Sequence, residues 1–233
     1  MAALLQCQEI AATNHFEETG CPQWLPCTSA RLNGSVIQEC DELKLLGITL
    51  TPGLNWSTHI DNIKSSASRV YGAICRSSNC FTERSRANLY KSLILPVVDY
   101  CSPIWAGSHT THLNGLDKLQ QKCRRLFPSI AVDNLNHRRK VSSLTLLYQI
   151  AHGLVPACLD FLRPPPLPRL LDTRQSQTAN DLSFLLPASR TEQHQLSFMP
   201  STLRLWHELP ASVVYQSTTN KFKSAVNHYL KHA

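Results

Sequence analysis

The sequence has 233 residues, 42% hydrophobic and 17% charged, which is enough to bury a core and excludes a highly charged disordered tail. Its net charge is +7, and its longest apolar run is short and broken by Pro96, whereas a membrane-spanning helix needs about 20 apolar residues. We therefore expect no membrane span. Residues 1–6 lack the basic and apolar segments of a signal peptide, which predicts an intracellular protein, nuclear or cytoplasmic, that is not secreted.

The first 56 residues show little regular structure. Residues 1–28 have no clear hydrophobic period, so we expect a poorly ordered extension there. Residues 31–40 and 43–50 have the composition of two short strands, which predicts a small β-hairpin near the N-terminus. Its turn lies either near Asn33 and Gly34 or at the acidic residues 40–42.

Helical periodicity extends from residue 57 to residue 153. Apolar residues recur there at steps of three and four, which predicts four main helices beginning near residues 57, 82, 111 and 138. Ser57 or Thr58 could cap the first helix and Thr82 the second. Pro96 should kink or end the second helix, because proline cannot donate the helical hydrogen bond.

The C-terminal part is expected to begin with an extended connector. Prolines within residues 164–168 favour extended backbone, and polar residues dominate 172–181. Two short helices are predicted near residues 201–208 and 219–231. The predicted fold class is therefore mainly α, a helical bundle with a small N-terminal β-hairpin and a Pro-rich connector to short C-terminal helices. Three tryptophans are expected among its larger buried side chains: Trp56, Trp105 and Trp206.

The nine cysteines suggest no disulfide framework and no metal site. Their number is odd and no secretion signal is visible, which favours a reducing compartment. Four side chains could in principle bind zinc, but their spacing is not that of a known zinc finger: Cys101, His109, His112 and Cys123. Cys101 and Cys123 also suit buried positions for a small apolar residue. We expect neither a metal nor another cofactor.

Positive charge is concentrated in the middle of the chain. Residues 61–150 contain 13 basic and 5 acidic side chains, whereas residues 1–60 contain 2 and 6. A surface of one sign attracts a polyanion, although a basic face can also serve only solubility. The candidate nucleic-acid-binding residues lie on the third and fourth predicted helices: Lys118, Lys122, Arg124, Arg125, Arg138, Arg139 and Lys140.

No self-sufficient active site is evident. A two-metal polymerase needs neighbouring carboxylates, and the sequence contains no Asp–Asp pair. The Gly-x-Ser-x-Gly motif of many hydrolases is also absent, and the ten histidines show no repeating partner pattern. We therefore name no catalytic residue.

Six sequence blocks, taken in order, resemble one family. They are LKLLGITLTPGLNWSTHIDNI, LYKSLILPVVDYCSPIWAG, LDKLQQKCRRLF, HRRKVSSLTLLYQI, LSFMPSTLRLWHELP and KFKSAVNHYL. Together they resemble the C-terminal part of the reverse transcriptase of non-LTR (LINE) retrotransposons of the jockey or CR1 type. The resemblance covers about residues 29–233.

The resemblance implies a domain organisation. Residues 29–56 would be a remnant of the end of the palm, residues 57–155 a thumb-like helical domain, and residues 156–233 the downstream region. In the family these parts help to hold RNA and the nicked DNA target, so the implied partner is RNA or an RNA–DNA duplex. The catalytic part of the palm, with its Tyr-x-Asp-Asp motif, and the endonuclease have no counterpart in this sequence.

The resemblance therefore predicts a truncated reverse transcriptase fragment that is not an enzyme by itself. Its residual activity would be binding of template–primer. The alternatives are a domesticated protein-interaction module and an inert relic. In either case, helix faces that once packed on a palm could remain exposed and cause association.

Overall fold

The computed structural model describes residues 31–33, 35–36, 40–167 and 183–232. The chain divides into two units, Met1–Asp41 and Glu42–Ala233. The described part is mostly helical with antiparallel hairpins near its start, which confirms the predicted fold class. The expected N-terminal extension, residues 1–28, and the polar connector, residues 172–181, lie outside the described residues.

Each of the two predicted strand segments folds back on itself. In the first unit, β1 (Arg31–Leu32) pairs with β2 (Ser35–Val36). In the second unit, β3 (Leu43–Leu45) pairs with β4 (Ile48–Leu50). The second turn consists of Leu46 and Gly47, both with positive φ (47° and 85°), as in the tight turns that join antiparallel strands. The sequence-based interpretation had placed Gly47 inside a strand.

The first helix, α1 (Ser57–Arg76), follows the predicted period. It buries Ile60, Ile63 and Ala67 on one face. The prediction that Ser57 or Thr58 caps it was wrong, because the helix already begins at Ser57 and no cap side chain accepts a bond from it. Instead, the Asn55 side-chain oxygen accepts a hydrogen bond from the Ser57 amide at 3.0 Å.

The second predicted helix is interrupted before Pro96. It consists of α2 (Glu83–Leu89), a π-helical turn (Tyr90–Ile94) and α3 (Leu95–Asp99). Thr82 caps α2 as predicted, since its hydroxyl accepts a hydrogen bond from Ser85 N at 3.2 Å. The sequence spacing predicts that Leu93 shares an apolar stripe with Leu89 and Val97. The wider turn shifts the buried face instead, which leaves Leu93 47% exposed.

The remaining helices complete two core clusters. They are α4 (Ser102–Trp105), α5 (Thr110–Arg124), α6 (Leu135–Ala151), α7 (Glu192–Leu196), α8 (Phe198–His207), α9 (Ala211–Val214) and α10 (Thr219–His232). Helix α6 joins the clusters, because Leu135 packs in the first and Leu144 in the second. None of the described helices is both long and apolar enough to cross a membrane.

The tryptophans occupy different depths in these clusters. Trp105 is completely buried in the first cluster and Trp206 in the second, as predicted. Trp56 is only half-buried at the edge of the first cluster. Its partial exposure makes it available to line a surface cavity.

Candidate nucleic-acid interface

Three basic side chains form an exposed row on α5, which we call the basic strip: Lys118, Lys122 and Arg125. Steps of four and three residues place them on one side of the helix, away from the buried Leu116 and Leu119. Arg125 is the residue immediately after the last helical position. No side-chain hydrogen bond or ion pair engages the strip within the part of the chain that the structure describes. The three charges are therefore open to solvent and to an anionic ligand.

A fourth cation, on a neighbouring helix, lies close to the strip. The Cδ, Cε and Nζ atoms of Lys64 on α1 lie 3.4, 3.5 and 3.5 Å from the position that a Cβ atom would take on Gly115 of α5. Gly115 precedes Lys118 by three residues, a rise of about 4.5 Å along the helix. Lys64 thus extends the row of charge towards the start of α5. Sequence reasoning missed Lys64. The available signal was Gly115, because a glycine in the middle of a helix allows another helix of the same protein to approach closely.

The other predicted residues on α5 and α6 have different surroundings. Arg124 is exposed beside the strip, and its direction from the helix axis differs from that of Arg125 by about 100°. Arg138 donates from Nε to Asp99 Oδ2 at 2.8 Å, and its Nη2 contacts the same oxygen. Lys140 is half-buried. The basic strip is therefore confined to α5, and binding by any of these residues stays a prediction.

Arg139 is buried instead of solvated. Its side chain is 4% exposed, and its Nη2 atom lies 3.3 Å from Asp117 Oδ1 on α5. Its Nη1 atom has no hydrogen-bond partner among the described residues. The pair connects α5 with α6, so the position of Arg139 suits a structural role in holding the helix that presents the strip.

Gln120 fixes the opposite side of α5. Its amide nitrogen donates to the Tyr90 hydroxyl at 3.1 Å and to the Asp133 carbonyl at 2.8 Å. Its amide oxygen accepts from Leu135 N, the first residue of α6, at 3.1 Å. Burial raises the pKa of Tyr90 to about 12, so this hydroxyl remains protonated at neutral pH. The network holds α5 against both α6 and the π-helical turn.

A polar groove between α3, α6 and α10 contains the pair formed by Arg138. The cavity has a volume of about 680 Å³, and Asp99, Asp133 and His137 line it with Arg138. Lys231 donates to Asp133 Oδ1 at 2.8 Å and holds the pKa of that carboxyl below its ordinary value. His137 shares a 2.6 Å hydrogen bond with Asn227. The charges that face this groove are thus largely paired with one another.

The possible zinc ligands are not assembled. Among the described residues, no group of three or more His, Cys, Asp or Glu side chains is placed to hold a metal ion. Cys123 is buried, as its alternative interpretation predicted, and burial raises the pKa of its thiol to about 12. Cys101 is half-buried and has a positive φ of 48°. His109 caps α5 by accepting a hydrogen bond from Thr111 N at 3.4 Å.

Comparisons with known proteins identify relatives among retrotransposon proteins. The RNA-directed DNA polymerase from the mobile element jockey of Drosophila melanogaster is 32% identical over 103 residues, which cover 42% of this chain and 11% of the relative. The putative 115 kDa protein in the type-1 retrotransposable element R1DM of the same fly is 28% identical over 131 residues, 55% of this chain and 12% of the relative.

A third relative comes from another fly. The retrovirus-related Pol polyprotein from the type-1 retrotransposable element R1 of Bradysia coprophila is 28% identical over 141 residues, 59% of this chain and 13% of the relative. No family model and no solved structure matches the chain.

The matched segment covers only a small part, 11% to 13%, of each of these three relatives. Over about half of its length, this chain is similar to part of the reverse transcriptase and Pol proteins of jockey- and R1-type non-LTR retrotransposons, which confirms the resemblance inferred from its sequence.

Proposed function

We propose that this chain binds the sugar–phosphate backbone of RNA or of an RNA–DNA duplex through the basic strip. The observation that carries the proposal is the row of exposed cations on α5, which have no ion-pair partner among the described residues and which Lys64 extends. Lys and Arg side chains that contact phosphates give salt-dependent affinity with little sequence preference. The similarity to RNA-directed DNA polymerases supports a nucleic-acid ligand.

We further propose that residues 57–155 act as the thumb of such a polymerase, that residues 29–56 correspond to the end of its palm, and that residues 156–233 form the downstream region. In this proposal the chain is a truncated fragment and contributes no catalytic carboxylate. The support is the order of the sequence blocks and the lack of an Asp–Asp pair in the sequence. Polymerase chemistry would then need a palm that these 233 residues do not supply.

The proposal is tested by salt titration of binding. The purified chain is titrated into a fluorescently labelled RNA–DNA duplex, and the association constant is measured by anisotropy between about 50 and 200 mM salt. We expect a steep decrease in affinity with salt. Replacing Lys118, Lys122 and Arg125 by glutamine should reduce the magnitude of the log–log salt slope by about 2 to 3, roughly one for each lost phosphate contact.

A charge-matched control separates local contacts from the effect of net charge. Arg84, Lys91 and Lys221 are exposed cations that lie outside α5. Replacing these three by glutamine changes the net charge by the same amount and should leave the slope close to that of the unmodified chain. Equal losses in both triple variants would show that net charge, and not the strip, attracts the ligand. A folded chain that does not bind at low salt would refute the proposal.

A second candidate function, protein interaction, is favoured by the β3–β4 hairpin. Leu43, Leu45 and Leu46 on this hairpin are 52%, 51% and 76% exposed. Adjacent exposed leucines are typical of a contact surface. If association uses this hairpin, replacing Leu45 and Leu46 by lysine should shift sedimentation from associated species to monomer. The same change should leave the salt slope of nucleic-acid binding unaltered.

A further inference from the structure

A second cavity, separate from the groove around Arg138, lies at the N-terminal end of α5. It has a volume of about 380 Å³ and is lined by residues of the turn after β4, of the loop before α5, and of α7. Gln193 of α7 donates to the carbonyl oxygens of Gly53 and Leu54 at 2.6 and 3.3 Å. Gly107 lies so close to α7 that a Cβ atom there would be 1.8 Å from the Leu196 carbonyl oxygen. The Gln193 side chain and the close approach at Gly107 thus connect the walls, so the cavity is preformed.

Trp56 lines this cavity and is half-buried. Its ring contacts His59 edge-on, with centroids 6.4 Å apart, and His59 contacts Trp105 in the same way at 6.2 Å. Burial lowers the pKa of His59, which keeps this middle ring neutral at physiological pH. Packing against His59 and the first core cluster therefore fixes the orientation of Trp56 beside the cavity.

The other walls offer hydrogen-bonding groups with little charge. Ser108 is 8% exposed, and its hydroxyl has no hydrogen-bond partner among the described residues. His112 lines the cavity, and among the described residues no hydrogen bond, ion pair or ring contact involves its imidazole. Glu192 is the one formally charged side chain in the described lining. A carboxylate disfavours phosphate, whereas neutral donors and acceptors beside an aromatic ring suit a planar polar group.

The size and position of the cavity indicate what this planar group is. Its volume lies near the lower end of the range for small-molecule pockets, about 300 to 1,000 Å³, which suits one ring system. His112 precedes Lys118 by six residues, a distance of about 9 Å along α5. A strand whose phosphates contact the basic strip could therefore place one of its bases in the cavity within a few nucleotides.

We propose that this cavity binds an unpaired nucleobase of a single strand that the basic strip holds by its phosphates. The proposal rests on the proposed function, since the strip must bind the backbone of the same strand. Stacking of a base on an aromatic side chain is tolerant of sequence because every base has a π-face. The His112 imidazole would contact the edge of the base.

The test compares two single strands that differ only in their bases. The full chain is titrated with a 12-nucleotide oligoadenylate RNA carrying one 2-aminopurine, and with an abasic strand of equal length. Both the affinity and the 2-aminopurine fluorescence are measured. We expect the unmodified chain to bind the base-containing strand about 5- to 150-fold more tightly, the range for one stacked base. Stacking should also quench the 2-aminopurine.

Variants of the cavity assign the effect to this site. Trp56→Ala and His112→Ala should each bring the affinity ratio of the two strands towards one and reduce the quenching. His207→Ala, an exposed histidine on α8 outside the cavity, should change neither. Trp56 packs against the first core cluster, so circular dichroism checks the folding of Trp56→Ala. The half-buried His112 on α5 provides a second, independent variant.

The possible failures are distinguishable. Salt-dependent binding that is equal for the two strands would overturn the base site and leave backbone binding intact. A base preference that survives both cavity variants would also overturn the assignment to this cavity. Absence of salt-dependent binding to either strand would overturn the proposed function and, with it, this inference.

Discussion

Arg139 and Asp117 form an ion pair between α6 and α5, with Arg139 Nη2 3.3 Å from Asp117 Oδ1. The two partners differ in burial, because the Arg139 side chain is 4% exposed and the Asp117 side chain 29% exposed. Arg139 lies between Arg138 and Lys140 in the sequence, yet its side chain points into the protein. Its position connects the two helices that carry the predicted binding residues.

Because the two partners differ in burial, replacing Asp117 and replacing Arg139 should lower the free energy of unfolding by different amounts. Asp117→Asn leaves a buried guanidinium without a counter-charge, which should lower the free energy of unfolding by about 2–3 kcal/mol, less than for a fully buried pair because Asp117 is partly exposed. Arg139→Met removes the charge and keeps the apolar stem, so its cost should be below about 1 kcal/mol. Urea denaturation of the two variants measures both values.

Arg139→Met also tests whether Arg139 takes part in nucleic-acid binding. Arg139→Met should leave the salt slope unchanged, whereas Lys118→Met, the control on the strip, should reduce its magnitude by about one. A greater loss of stability in Arg139→Met than in Asp117→Asn would contradict the structural interpretation of the pair.

Arg86 is a second structural cation, and it holds α2 near the end of α5. Its Nε donates to the Leu126 carbonyl at 2.7 Å, and its Nη1 donates to the carbonyls of Ser78 and Phe81 at 3.0 Å each. Arg86→Lys keeps the charge but loses the planar arrangement of donors, so we expect a loss of roughly 2 kcal/mol in the free energy of unfolding. Arg84→Lys, on the exposed face of α2, is the matched control and should have almost no effect. Similar thermal midpoints for the two variants would show that the three carbonyl contacts contribute little.

The helices could be predicted from sequence because their apolar period is local information. Burial of Ile60, Ile63 and Ala67 in α1 follows directly from their spacing. The π-helical turn could not be predicted in this way, since Pro96 indicates an interruption without indicating how the buried face shifts. As a result, Leu93 was placed on the wrong face.

The candidate site shows the same division between local and long-range information. The spacing of Lys118 and Lys122 was sufficient to place them together on one exposed face. The burial of Arg139 depends on Asp117, 22 residues earlier, and the position of Lys64 depends on Gly115 in another helix. Sequence periodicity contains neither relationship, because both arise from the packing of one helix on another.

Two glycines with opposite surroundings provide a test of packing around the second cavity. At Gly107, a Cβ atom would lie 1.8 Å from the Leu196 carbonyl oxygen, so Gly107→Ala must displace backbone. We expect its free energy of unfolding to fall by about 1–3 kcal/mol or more. At Gly72 in α1, a Cβ atom would meet only the Arg76 side chain at 3.5 Å, so Gly72→Ala should raise stability by up to about 1 kcal/mol.

Chemical denaturation gives the sign of each effect. Both variants add one methyl group. A difference in the sign of their stability changes therefore reflects the surroundings of each glycine and not the substitution itself. A Gly107→Ala protein as stable as the unmodified chain would mean that the loop before α5 and helix α7 are not in the close contact described.

His59 gives a prediction for the pH dependence of stability. Burial lowers its pKa from the ordinary value of 6.5, and its Nδ1 accepts a hydrogen bond from Thr49 N at 3.3 Å, which requires that nitrogen to be unprotonated. Just below pH 6.5 the unfolded chain therefore binds more protons at this residue than the folded chain. The free energy of unfolding should be highest above pH 6.5 and decrease as the pH falls towards the lowered pKa. Urea midpoints at pH 7.5, 6.5 and 5.5 measure this decrease.

A control variant separates His59 from a second histidine. Burial also lowers the pKa of His152, which adds a change of the same sign. The contribution of His59 is therefore the difference between the unmodified chain and His59→Gln. Glutamine can accept from Thr49 N but does not titrate, so that variant should show a shallower decrease. An equally steep decrease in His59→Gln would show that protonation of His59 does not limit the stability of the fold in acid.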